Sequence, residues 1–256
     1  MRLGVALRGD LAADALLVQE LGYTVAWIDA HAAPAPLVAA AAVAQRAPAI
    51  TLAPVVVAGV HPVTLAEEAA VADLCCAGRL VLVLTADDAP LLDETVAVLW
   101  QAWAGRPFSH DGAHWRIPAR RPEHAEAEAL VRVTPPPAQL EPPIWLAGPA
   151  AAAVAAARGL ARVADGTDAP APAAARVRRP ALVRVEAGAD PRALAARLVA
   201  ARAGWGLDVA ILDLPAGLGA EDRAHLLARV AEHVLPRVQL TALPAGLEDY
   251  WRSLRG

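Results

Sequence analysis

Apolar positions along the 256-residue chain fall into short, nearly continuous runs separated by longer stretches with helical spacing. The runs are "RLGVAL" (2–7), "TVAWI" (24–28), "ITLAPVVV" (50–57), "RLVLVLT" (79–85), "PIWLAG" (143–148), "RVADG" (162–166), "ALVRVEA" (181–187) and "DVAILDL" (208–214). A short run that is apolar on both of its alternating faces predicts a strand covered on both sides, as strands of a parallel sheet are. Helical patterns follow most of them, including "LAADALLVQELG", the alanine-rich 36–46, "VTLAEEAAVADLCCAG", "LLDETVAVLWQAWAG" and the segments near 191–204 and 220–235. Eight such repeats predict an α/β fold, a closed (β/α)8 barrel of the TIM type rather than an open doubly wound sheet. One barrel domain over 1–240 is expected, with 241–256 as a C-terminal tail.

Two places break the rhythm. Arg106 to Pro142 is an insertion that contains "PFSHDGAHWRIP" and then the proline-rich "TPPPAQLEPP". Asp111-Gly112 reads as a two-residue hairpin turn, which would pair His110 with Ala113. Between the sixth and seventh strands, "TDAPAPAAARVRRP" is too short and too rich in proline for a full crossover helix. The expected barrel is therefore a reduced one, with its sixth helix shortened or missing.

Composition narrows the partners. Hydrophobic residues make up 57% of the chain, ample for a core. Every basic residue is an arginine, lysine and asparagine do not occur, and alanine is so frequent that its presence says little about site design. The net charge of -4 is spread without blocks, and Arg116, Arg120 and Arg121 make only a small cluster. Nucleic acid is thus an unsuitable partner, since phosphate neutralisation needs a concentrated basic face. No apolar run is long enough to span a membrane free of charge, and "MRLGVALRGD" reaches an acidic residue before a signal-like core can form. The expectation is a soluble, cytoplasmic chain with no membrane partner. Cys75 and Cys76 are adjacent, a spacing wrong for a disulfide or a CxxC motif, and are expected to be reduced with at least one buried at a helix end.

Several residues invite a chemical reading. His31 follows the second strand at the carboxyl-terminal end, where barrel active sites lie, and an imidazole there can take a proton near neutrality. It can equally be a loop histidine that starts a helix. His110, Asp111 and His114 suggest a metal set, but strand alternation from the expected turn sends the two histidines to opposite faces. His61 beside Pro62 reads as structural, His124 in the polar insertion as solvated, and His225 and His233 on the last helix as surface or interface residues. Trp100 and Trp103 share a helix face and read as core or interface, Trp27 as packed on the barrel wall, and Trp115 as pinning the hairpin. Glu67 and Glu68 are side by side on a helix, so they cannot both face one substrate. "RGD" (8–10) carries no weight as a loop tripeptide. Asp87 and Asp88 directly follow the fourth strand, either as a carboxylate pair or in place of a phosphate-facing loop.

The stretches "LGYTVAWIDAH", "APLVAAAAVAQRAPAITLAPVVVAGVHPVTLAEEAAVADLCCAGRLVLVL", "LWQAWAGRPFSHDGAHWRIP", "PPIWLAG" and "DVAILDLP" occur in the order seen in the bacterial luciferase-like flavin monooxygenases, a family that includes oxidoreductases using the deazaflavin F420. Most of the chain resembles that family, most specifically in "HPVTLAEEAAVADLCCAGRL". The resemblance implies a TIM-type barrel, FMN or F420 as cofactor, a small-molecule substrate, and pairing as a homodimer or heterodimer. It implies His31 as the base near the reactive flavin carbons, although the acidic neighbour common in the family is Ala30 here and Asp29 stands one residue early. It implies cofactor contacts at Ala53, Pro54, Thr85, Gly148 and Ala150, with a cis Ala53–Pro54 bond under the flavin ring; a proline at a strand bulge is the other reading. Glycines, arginine and hydroxyl residues that hold phosphate in the family are replaced by Ala86, Asp87, Asp88 and "LAGPAAAA", leaving the amides of 150–152. Two functional readings follow: a flavin- or F420-dependent oxidoreductase, most simply a monooxygenase, or a reduced, non-catalytic barrel that binds a partner subunit or small ligand.

Overall fold

All eight predicted strands form, and every pairing among them is parallel. The computed structural model describes residues 1–30, 32–119, 130–167 and 178–238. In chain order these contain β1 (Arg2–Ala6), α1 (Leu11–Glu20), β2 (Val25–Ile28), α2 (Pro36–Ala44), β3 (Thr51–Val57), α3 (Pro62–Cys75), β4 (Leu82–Thr85) and α4 (Ala89–Trp103). Two short strands, β5 (His110–Asp111) and β6 (Arg116–Ile117), lie in the insertion. Then come β7 (Ile144–Ala147), α5 (Ala151–Arg158), β8 (Ala161–Arg162), β9 (Ala164–Asp165), β10 (Pro180–Arg184), α6 (Pro191–Trp205), β11 (Val209–Asp213) and α7 (Ala220–Val238).

The sheet runs β8-β7-β4-β3-β2-β1-β11-β10-β9, and its two ends are nearly the same strand. Ala161 and Arg162 pair with Trp145 and Leu146 of β7, whereas Ala164 and Asp165 pair with Ala181 and Leu182 of β10. Only Val163 separates the two ladders, so residues 161–165 act as one bent stave that closes the barrel. Counted this way, the barrel has the eight staves of a TIM-type fold.

Strand alternation sorts the side chains into two cores. Ala6, Val25, Trp27, Ala53, Val81, Val83, Trp145, Ala161, Val209 and Ile211 fill the barrel interior. Leu3, Val5, Ile28, Leu52, Leu82, Leu84 and Leu146 point the other way, into the helix layer with Leu65, Leu92 and Leu99. Trp27 is therefore inside the barrel, where it and Trp145 supply bulk among alanines and valines. Proline opens the first turn of α2, α3, α4 and α6, where its missing N–H is not needed. Aspartates 10, 88 and 190 cap α1, α4 and α6 by accepting from free N–H groups.

Residues 168–177, the connection in which the sixth helix is expected to be shortened or missing, lie outside the described residues. His124 and the expected tail 241–256 also lie outside the described residues. Cys75 is exposed and Cys76 buried at the end of α3, both unbridged, and burial pushes the Cys76 thiol up to about 11. No helix among the described residues is long and apolar enough to cross a membrane.

The insertion does form a hairpin, but with a different turn from the one expected. His110 pairs with Ile117 and Asp111 with Arg116, and the chain reverses through Gly112–Trp115, closed by the Gly112 N–H donating to the Trp115 carbonyl at 2.9 Å. The physical reason is tertiary. Glu94 on α4 accepts from the His114 N–H and the Trp115 N–H, both at 2.9 Å, and this contact favours the longer turn over a two-residue one.

Candidate active site

The carboxyl-terminal mouth is built from the residues that continue the inward alternation of each strand. On the first stave the series Gly4, Ala6 leads to Arg8; on the second, Val25, Trp27 leads to Asp29; on the last, Val209, Ile211 leads to Asp213. Because β1 lies between β2 and β11, these three side chains meet. The Arg8 Nη1 donates to both Asp29 oxygens at 2.9 and 2.8 Å, and its Nη2 donates to Asp213 Oδ1 at 2.8 Å. All three are largely buried, with side-chain exposures of 17 to 20%. Burial pulls the Arg8 pKa down, but the hydrogen bonds to Asp213 and Asp29 outweigh it, and the net shift is upward.

Asp29 also holds the next loop. Its Oδ1 accepts from the Ala32 N–H at 3.1 Å, and its carbonyl accepts from the N–H groups of Ala32 and Ala33, both at 3.0 Å. His31 lies between residues fixed in this way but is itself outside the described residues. The aspartate one position early in the sequence is thus an organiser of the loop. Arg8, in a tripeptide that carried no weight in the sequence, is the centre of the network; the signal that would have found it is the two-residue alternation of β1 carried two steps past its interior glycine and alanine.

The opposite side of the mouth gathers three of the expected cofactor contacts. Thr85 ends β4 beside Ala147 in register, and Gly148 follows with φ of 83°, a left-handed conformation suited to glycine. A Cβ on Gly148 would stand 2.6 Å from the Thr85 hydroxyl, so the two residues are in close approach. The Ala150 N–H already donates to the Ala86 carbonyl at 3.4 Å, and that of Ala151 to Gly148 at 3.3 Å. Ala53, by contrast, is fully buried in the interior beside Trp27, and Pro54 falls on the alternate face, with Leu52, toward the helices. The Ala53–Pro54 bond is trans, and the cis bonds among the described residues are Ile117–Pro118 and Thr134–Pro135. Along β3 it is Val55 and the exposed Val57 that continue the inward series toward the mouth.

Asp88 has a structural task. It accepts from the Leu91 N–H at 3.2 Å to cap α4, and its other neighbour is the His114 ring, with Nε2 3.6 Å away. The hairpin thus climbs α4 to the mouth and is fastened there. Glu94 accepts from two backbone N–H groups and meets the His110 Nε2 at 3.0 Å, while Trp115 donates to the Thr95 hydroxyl at 3.3 Å and meets the His61 ring edge-on, with centroids 5.5 Å apart. Burial raises the Glu94 pKa, yet the bonds from His114, Trp115 and His110 prevail and hold it below the usual range. His110 and His114 therefore serve one carboxylate clamp. No group of three metal-type side chains comes together among the described residues.

A family profile described as luciferase-like monooxygenase matches residues 8–204. The chain belongs to this family. Solved structures of similar fold include the monooxygenase RslO1 from Streptomyces bottropensis, with 19% identity, a TM-score of 0.72, and coverage of 92% of this chain and 99% of that one. Another is the oxygenating constituent of 3,6-diketocamphane monooxygenase from Pseudomonas putida in complex with FMN, with 14% identity, a TM-score of 0.67, and coverage of 95 and 99%. The coenzyme F420-dependent tetrahydromethanopterin reductase from Methanopyrus kandleri matches at 12% identity and a TM-score of 0.68, covering 93 and 99%. At these identities the likeness is one of fold. No curated protein matches the chain. Within this luciferase-like barrel, the Arg8 network and the Thr85–Gly148 contact occupy the carboxyl-terminal end, where the active sites of such barrels lie.

Proposed function

We propose that this luciferase-like chain is a flavin- or F420-dependent oxidoreductase acting as a monooxygenase on a small molecule, with its site at the carboxyl-terminal mouth. The observation that carries this reading is the Arg8–Asp29–Asp213 network, which ties the loop after β2 to two neighbouring staves. Three charged groups held together in a partly buried mouth are a costly arrangement for mere packing, and preorganising a loop is a use that justifies it.

The residues present fit one end of the cofactor better than the other. Thr85 and Gly148 offer a hydroxyl and a close backbone to the ring end. For the phosphate, the loops after β4 and β7 supply neither arginine nor a free Ala150 N–H, and the exposed Arg184, which closes β10 next to Asp213 in register, makes no ion pair among the described residues. Reduced flavin supplies the electrons for oxygen chemistry, whereas the protein orients the ring, excludes water and provides a base. His31 is that base in this reading, accepting a proton at its imidazole nitrogen.

Titration of the purified protein with FMN and with F420, followed by absorbance, tests the proposal. Saturable binding of one of them is expected, and no binding of either would leave the non-catalytic barrel as the correct reading, which the engaged Ala150 N–H favours. Given binding, His31→Ala should abolish turnover with affinity nearly unchanged; full activity in that variant would remove His31 from the chemistry.

A further inference from the structure

At the other end of the barrel, where the strands begin, lies a cavity of about 250 Å³. Its walls carry three arginines from separate parts of the chain: Arg2 on β1, Arg79 just before β4, and Arg178 just before β10, with the Thr51 hydroxyl among them. Its floor is the lowest layer of the barrel interior, Val25, Val81 and Val209. No carboxylate of the described residues lines it.

The nearby acids are directed elsewhere. Asp73 is fully buried behind Gln139, accepting from the Gln139 N–H at 2.7 Å, from its side-chain amide at 2.9 Å and from the Leu80 N–H at 3.4 Å. Asp208 accepts from the Arg179 N–H at 3.2 Å. Glu141 lines not this cavity but an adjoining one, which shares Arg178, Pro143 and Trp145 with it. Arg79 is held rigid by donating to the Ala47 and Ile50 carbonyls, while the guanidinium groups of Arg2 and Arg178 make no ion pair or hydrogen bond among the described residues. Three like charges around one apolar-floored hollow repel one another and leave many donors unused. An anion relieves both.

We propose that this cavity binds a small organic polyanion, a phosphate ester or a dicarboxylate of few carbons, with its acidic groups on the arginine forks and its short apolar part on the valines. Guanidinium forks match carboxylate and phosphate oxygens pairwise, which gives the site its selectivity for planar or tetrahedral oxyanions over chloride. The size of the hollow and the overall negative charge of the chain exclude a nucleic acid strand as occupant. Because the three arginines belong to the starts of different staves, the bound anion would clamp the base of the barrel, on the face of a TIM fold that governs stability rather than chemistry. This site is independent of the one proposed at the mouth.

The test uses inorganic pyrophosphate and citrate as probes for the two classes, measured by calorimetry and by thermal unfolding at fixed ionic strength. Saturable binding of one probe with a raised Tm is expected, and which probe binds names the class. The double variant Arg2→Gln, Arg178→Gln removes two exposed, unpaired side chains, so its Tm without ligand should match the parent. Its affinity should fall about tenfold or more, from the loss of charge-assisted hydrogen bonds. Failure of both probes to saturate, or equal affinity in the double variant, overturns the proposal.

Discussion

The two ends of the barrel treat the same residue type in opposite ways. At the carboxyl-terminal mouth Arg8 is enclosed by Asp29 and Asp213, each within 2.9 Å, and its conformation is settled by the fold. At the amino-terminal end Arg2 and Arg178 have no ionic partner among the described residues, and their conformation is left for solvent or a ligand to settle. A paired charge serves geometry; an unpaired one near a hollow serves binding. The difference follows from which residues end each strand's inward series, carboxylates on the staves flanking Arg8 at the top and only valine or threonine beside Arg2 at the bottom.

The largest effect should come from breaking the paired end. Arg8→Met leaves two carboxylates facing each other without their shared cation, and should cost about 2–4 kcal/mol of stability, measured by chemical denaturation. If the network also organises the loop after β2, cofactor affinity should fall with it. Loss of stability with unchanged affinity would separate the network from the site.

A smaller effect is expected at the second fastening of the mouth. Glu94→Gln keeps the shape but weakens the bonds to the His114 and Trp115 N–H groups and to His110, and should cost about 1–2 kcal/mol. The pH dependence gives an independent check. Folding holds the Glu94 pKa below its unfolded value, as it does for Asp93, where the hydrogen bonds from Arg158 are the main cause. The stability each contributes is therefore complete above the unfolded pKa, near 4 for such carboxyls, and is lost as pH falls from there through the depressed folded value. Glu94→Gln should flatten that acid limb of the stability profile. An unchanged limb would show that Glu94 titrates alike in the folded and unfolded states.

The smallest effect belongs to the unpaired end. Arg2→Gln and Arg178→Gln, each without ligand, should change stability by no more than about 0.5 kcal/mol. A larger loss would mean that these arginines already have partners, and the contrast between the two ends would fail.

Much of the barrel was legible along the chain because strand burial on both faces leaves a signature that needs no tertiary information. "ITLAPVVV" and "DVAILDL" are apolar on both alternating faces, and only a covered parallel sheet accommodates that. The site was legible in part. His31 was singled out by its position after β2 and by the family resemblance, and Thr85, Gly148 and Ala150 by the resemblance; the last three lie near one another at the mouth. Pro54 could not be assigned from order alone, since the face it takes depends on the phase of β3 against Trp27 and Ala53. The hairpin turn was misjudged because Asp111-Gly112 is a good local turn, and nothing local announces that Glu94, sixteen residues before His110, holds the chain open as far as Trp115.

The sequence by itself thus determined the strand count, the parallel order and the family, since each depends on patterns only a few residues long repeated in order. Only the tertiary structure decided that Arg8 meets Asp29 and Asp213, that Asp88 is a helix cap near His114, and that three scattered arginines share one hollow. Those facts depend on barrel closure, which brings residues 8 and 213 side by side although they lie near opposite ends of the described chain. No local pattern encodes a neighbour two hundred positions away.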